Sequence, residues 1–168
     1  MISAPTKSCV LDKETTKRKL RRMALEVAEQ NADETELIIA AINGNGEVVA
    51  KKIEEELRDV SALYLRIISI VLDKKDPVKV FIEPKTDLEN KVILIVDDVA
   101  NTGKTMMYAL KPFLGVHTKK IQTLVLVERS HKLFPIQTDY TGLSIATTLQ
   151  EHILVETDKN EITGAWLH

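Results

Sequence analysis

The chain has 168 residues, of which 44% are apolar and only 4% aromatic. That is enough to bury one sizeable core and falls within the span of one domain, so a single domain over residues 1–168 is expected. With 23 lysines and arginines against 25 aspartates and glutamates, the net charge is −2, which excludes a surface wrapped in positive charge and confines any RNA contact to a local patch. The one cysteine, Cys9, excludes an internal disulfide or a cysteine-cluster metal site and points to a reducing compartment.

Met1, Ile2, Ser3, Ala4 and Pro5 give way quickly to charge, without the apolar core of a secretory signal. No apolar run reaches membrane-spanning length, and a cytoplasmic protein is the expectation. Residues 7–11 predict a short strand in which Cys9 is half-buried and inert. Asp12, Thr15 and Thr16 then offer side-chain acceptors that start a helix. Within it Leu20, Met23, Ala24, Val27 and Ala28 recur at helical spacing, opposite Lys17, Arg18, Lys19, Arg21 and Arg22. Such a basic face is ordinarily solvated surface, with anion or RNA binding as its functional alternative.

Residues 37–42 form an apolar run too short for a helix and end at Asn43, Gly44, Asn45 and Gly46, as a strand buried on both faces would. A helix is expected over 47–59, with Val48, Val49, Ile53 and Leu57 at helical intervals. Residues 63–72 read as a strand ending in the charged turn 73–77, and 78–82 as a piece pairing back beside it. Residues 91–96 predict a third core strand, 103–114 a third helix and 121–127 a fourth strand. Strands alternating with helices predict an α/β fold with a mostly parallel central sheet flanked by helices. Past Glu128 the pattern turns to short β pieces near 137–140, 153–156 and 161–167, broken by Pro135 and Gly142. They predict a small β-rich cap over about 131–168, packed with Tyr140 and Trp166 on a core of about 12–130, with strand 7–11 as a candidate member.

The chemistry concentrates in Val92, Ile93, Leu94, Ile95, Val96, Asp97, Asp98, Val99, Ala100, Asn101, Thr102, Gly103, Lys104 and Thr105. Two adjacent carboxylates end a strand, just before a loop that opens a helix, where ligands of open α/β sheets bind. The acids can accept hydrogen bonds from vicinal sugar hydroxyls or hold a metal-bound water. The loop supplies N–H groups, the Thr102 and Thr105 hydroxyls and, at Gly103, a close backbone approach for a phosphate. A nucleotide-triphosphatase loop is the rival reading of Gly103, Lys104 and Thr105, but it needs a glycine where this chain has Asp98.

This stretch resembles the ribose-phosphate signature of the type I phosphoribosyltransferases, four apolar residues, two acids and then T-G-x-T. Over nearly the whole chain the likeness is to the pyrimidine-operon attenuator and uracil phosphoribosyltransferase proteins, called PyrR-like. It is carried also by Val10, Leu11 and Asp12 with their basic helix, by residues 126–135, and by Asp139, Tyr140, Thr141 and Gly142.

The resemblance implies a type I phosphoribosyltransferase fold with a hood, and transfer of a phosphoribosyl group from 5-phosphoribosyl-1-pyrophosphate to a nucleobase. Uracil or a related pyrimidine is favoured, pyrophosphate is released and Mg2+ sits on the leaving group, touched through water by Asp97 or Asp98. Those two aspartates are assigned to the ribose as catalytic residues, and Ala100, Asn101, Thr102, Gly103, Lys104 and Thr105 to the phosphate. Residues Asn43, Gly44, Asn45 and Gly46 take the place of the family's pyrophosphate loop, Lys74 and Lys75 that of its mobile loop, and Arg129 and His131 that of a base or RNA site. A homodimer is implied, and binding of operon leader RNA or non-catalytic sensing of the nucleotide is the alternative function.

Three departures set this chain apart: asparagines where relatives have arginines in the pyrophosphate loop, a short turn at 73–77, and Gly142 followed by Leu143 instead of lysine. The first two imply weakened activity. In addition, Asn101 stands where purine-salvage relatives have an aspartate, and a neutral amide cannot act as a general base.

Overall fold

The computed structural model describes residues 7–168; the opening Met1 to Pro5 lies outside the described residues. Strand β1 (Ser8–Leu11) leads into helix α1 (Lys13–Gln30), started by the Asp12 carboxylate, which accepts the Thr15 N–H at 2.7 Å. The buried face of α1 carries Leu20, Met23, Ala24 and Val27, as its spacing predicts.

Next come β2 (Glu36–Ile42), α2 (Asn45–Val60), β3 (Tyr64–Leu72), β4 (Val80–Glu83) and β5 (Val92–Ala100). They are followed by α3 (Lys104–Ala109), α4 (Lys111–Leu114), β6 (Lys120–Arg129), β7 (Tyr140–Ile145), β8 (Ile153–Asp158) and β9 (Glu161–Leu167). Six strands form one sheet in the order β4-β3-β2-β5-β6-β7, and β1-β9-β8 form a second. Within the large sheet β3, β2, β5, β6 and β7 run parallel, and only the edge strand β4 is antiparallel.

Alternation along the central strands splits the core between the two sheet faces. Leu37, Ile39 and Ala41 of β2 and Val92, Leu94 and Val96 of β5 pack with α1, α2 and the small sheet. Ile38, Ala40, Ile42, Ile93 and Ile95 point the other way, onto Met106, Ala109 and Phe113. Each fully buried aliphatic side chain contributes about 1.5–3 kcal/mol. The small sheet, to which β1 belongs, is anchored in the first of these clusters by Leu11, Ile153, Val155, Ile162 and Ala165.

Several expectations are corrected. Helix α2 starts two residues early, at Asn45, so half of the glycine turn is its first turn. The helix expected over 103–114 is divided at Leu110, because Pro112 has no N–H to bond back along it. The β piece expected near 137–140 lies at Tyr140–Ile145 and belongs to the large sheet beside β6, so the cap begins later than 131. Tyr140 accordingly packs in the core, where its hydroxyl accepts from Gln122 Nε2 at 2.7 Å. Cys9 is exposed, not half-buried.

Candidate functional site

Strand β5 does not stop at Val96. It continues through both aspartates to Ala100, held by β6 partners such as Val125 opposite Asp97 and Val127 opposite Val99. The acids are therefore held by β6 on one side only, since the pairing with β2 ends at Val96, yet they are nearly withdrawn from water, with Asp97 2% and Asp98 8% exposed. Asp97 Oδ1 accepts the N–H of Asp98 at 2.9 Å, which fixes its rotamer.

A cation reaches them from the turn after β3. Lys74 Nζ lies 3.1 Å from Asp97 Oδ1 and 3.6 Å from Asp98 Oδ1. Burial and the adjacent Asp98 carboxylate push Asp97 up, to about 8, against the pull of Lys74. The lysine loses that contest because its side chain is 43% exposed and water screens its charge. Burial opposes the charge of Lys74 itself, but the two carboxylates outweigh it and raise its pKa.

Past Ala100 the chain turns sharply at Gly103, whose φ of 82° and ψ of −5° are left-handed and natural only to glycine or a few polar residues. Thr102 Oγ1 accepts the Lys104 N–H at 3.2 Å. The turn is clamped from outside, since the N–H groups of Leu133 and Phe134 both donate to the Thr102 carbonyl, at 3.0 and 3.1 Å. Acids and turn together wall a cavity of about 210 Å³, to which Asn101, Thr102, Gly103, Thr105 and Lys74 contribute. Asn101 Oδ1 is buried there without a partner, leaving a free acceptor. Val99, Ile153 and Leu154 give the same cavity an apolar side.

The remaining predicted residues are placed differently. In the glycine turn, Gly44 has φ 93° and ψ −135°, a conformation confined in practice to glycine. Gly46 lies against the acids, because a Cβ there would be 3.1 Å from Asp97 Oδ1 and 3.1 Å from the Val96 carbonyl. The two asparagines are engaged in structure: Asn43 Oδ1 accepts the Leu72 N–H at 3.2 Å, and Asn45 Nδ2 donates to the Val155 carbonyl at 2.9 Å. Lys104 and Lys75 stay off the cavity wall; the Lys75 N–H donates to Asp73 Oδ1 within its turn. Arg129 Nη2 donates to the Thr148 carbonyl at 2.9 Å, and His131 is exposed.

Sequence reasoning missed Ile153 and Leu154, whose apolar alternation reads as ordinary strand. It also missed the nearly buried pair of Glu128 and Lys132, 2.8 Å apart, whose lysine stem lies beside Gly103. Among the described residues no group of three or more His, Cys, Asp or Glu could hold a metal. Asp97 and Asp98 fit magnesium only as a supplementary pair of hard oxygen donors for an ion that brings phosphate oxygens and water with it. No helix among the described residues is long and apolar enough to cross a membrane.

Residues 8–159 match the phosphoribosyl transferase domain. The bifunctional protein PyrR of Bacillus pumilus is 30% identical over 175 residues, covering 95% of this chain and 97% of that protein. PyrR of Streptococcus pneumoniae strain CGSP14 is 33% identical over 155 residues, 88% of each chain. In fold, the hypoxanthine phosphoribosyltransferase of Trypanosoma cruzi superposes with a TM-score of 0.78 at 14% identity, covering 94% of this chain and 95% of that one. The chain belongs to the type I phosphoribosyltransferase family, with the bifunctional PyrR proteins among its relatives.

Proposed function

We propose that the protein transfers the phosphoribosyl group of 5-phosphoribosyl-1-pyrophosphate to a ring nitrogen of a nucleobase, with uracil or a related pyrimidine as the favoured acceptor. The observation that carries this reading is the single cavity in which two sheet-held carboxylates face a glycine-threonine turn across about 210 Å³. Asp97 and Asp98 accept the sugar hydroxyls, and residues 101–105 enclose the 5′-phosphate with N–H and hydroxyl donors. The base lies in the apolar slot of Val99, Ile153 and Leu154.

In the reaction the base nitrogen forms a bond to the anomeric carbon as the bond to the pyrophosphate oxygen breaks. That electron pair leaves with pyrophosphate, and the nitrogen's proton passes to water or to the departing anion. Charge develops on the sugar ring and the leaving group, so the residues act by positioning and electrostatics. Magnesium, when bound with the donor, neutralises part of the pyrophosphate charge, and Asp97 or Asp98 would reach it through water.

A second reading, regulatory binding of pyrimidine-operon leader RNA, is favoured by the hollow of Arg18, Lys19 and Arg22 on α1 and by the bifunctional relatives. It is weakened where Arg21 pairs with Glu56 at 2.9 Å and Arg22 with Glu26 at 2.7 Å. A homodimer in the cytoplasm completes the proposal.

Pyrophosphate release from 5-phosphoribosyl-1-pyrophosphate and magnesium, measured with uracil, cytosine, orotate and hypoxanthine in turn, tests the transferase reading. Turnover with uracil is expected, and release with none of the four bases overturns it.

A further inference from the structure

Lys74 is the one cation on the cavity wall among the described residues, and it lies on the oxygens that the proposed function gives to the sugar. Its Nζ is 3.1 and 3.5 Å from the two oxygens of Asp97 and 3.6 Å from Asp98 Oδ1. A carboxylate oxygen accepting from the ammonium is engaged where a ribose hydroxyl would donate, so the two donors compete for one pair of acids. The lysine is also free to leave. It projects from an exposed turn of Asp73, Lys74, Lys75 and Asp76, and its own side chain is 43% exposed against 3% for Asp97. The asparagines of the glycine turn, bonded to Leu72 and Val155, supply no positive charge to replace it.

We infer that Lys74 is a displaceable internal occupant with two positions. With no sugar in the cavity its ammonium lies on the oxygens of Asp97 and Asp98; when sugar hydroxyls take those oxygens, the ammonium is released to the cavity mouth, where it binds the donor's pyrophosphate. The inference rests on the proposed sugar-phosphate site. It predicts opposite effects of one substitution on two ligands, a pattern that loss of a merely structural contact would not produce. A ligand with the sugar but no pyrophosphate only has to evict the lysine, and its apparent affinity is reduced by the fraction of protein with the lysine seated. A ligand with both groups gains a charge-assisted contact on eviction.

The test is calorimetric titration of the full chain and of Lys74→Gln with ribose 5-phosphate in chelator, and with 5-phosphoribosyl-1-pyrophosphate and magnesium. Lys75→Gln, one position along the same turn, is the control. Lys74→Gln is expected to tighten ribose 5-phosphate about threefold to tenfold and to weaken 5-phosphoribosyl-1-pyrophosphate about tenfold, with Lys75→Gln unchanged in both. Weaker or unaltered ribose 5-phosphate binding in Lys74→Gln, with the parent protein binding normally, overturns this inference alone. Binding of neither ligand to any of the three proteins overturns the sugar-phosphate reading and this inference with it.

Discussion

Asp97→Asn should make the protein more stable at neutral and alkaline pH while removing its proposed sugar ligand. Asp97 is 2% exposed beside a second acid, and burial followed by the Asp98 carboxylate raises it to about 8. An unfolded aspartate titrates near about 3.9. Between these values the folded protein holds a proton that the unfolded chain has released, so stability falls as pH rises, at up to about 1.4 kcal/mol per pH unit. Water at the cavity mouth and the partial compensation by Lys74 reduce the sum to about 1–3 kcal/mol between pH 5 and 8. Asparagine keeps the shape without the proton. Urea unfolding of both proteins at pH 5, 6, 7 and 8, taken as a difference, cancels the titrating groups that do not touch Asp97. The advantage of Asp97→Asn should grow with pH and level off above about 8. A difference that is flat with pH, or that grows towards acid, would refute the reasoning that this carboxyl is held protonated by burial.

Leu94→Ala, deleting a fully buried side chain of β5 under α1 and α2, should cost about 3 kcal/mol in urea unfolding. Gly46→Val places a branched side chain where even a Cβ would be 3.1 Å from Asp97 Oδ1; ribose 5-phosphate binding should be lost while circular dichroism still shows a folded chain. Lys132→Met leaves Glu128, whose side chain is 13% exposed, without its cation and should cost about 3 kcal/mol. Adding Glu128→Gln to it should recover most of that loss in the same denaturation measurement.

The central sheet was legible because its strands are apolar on both faces, and the structure sends alternate residues of β2 and β5 to separate clusters. The acid pair and the glycine-threonine turn were legible as an ordered set. Their burial was not, since it depends on β5 continuing to Ala100 against β6, a register that no local pattern prints. Strand β7 was misplaced because Gly142 resembles a break. Its role is close approach, for a Cβ there would lie 2.3 Å from the Leu126 carbonyl of β6. Lys74 reads equally as a mobile-loop residue or a solvated turn residue, and its place over the acids depends on where β3 ends, which no local pattern shows. Ile153 and Leu154 reach the cavity only because the hood folds back across the sheet, a tertiary fact without local signal.

The central claim, that one cavity holds a pentose and its phosphate, is tested most directly by calorimetric titration of the parent protein and Asp98→Asn with 5-phosphoribosyl-1-pyrophosphate and magnesium. Saturable binding of one molecule per chain, weakened about tenfold or more by Asp98→Asn, is the predicted result. Absence of binding, or binding that Asp98→Asn leaves untouched, would contradict it.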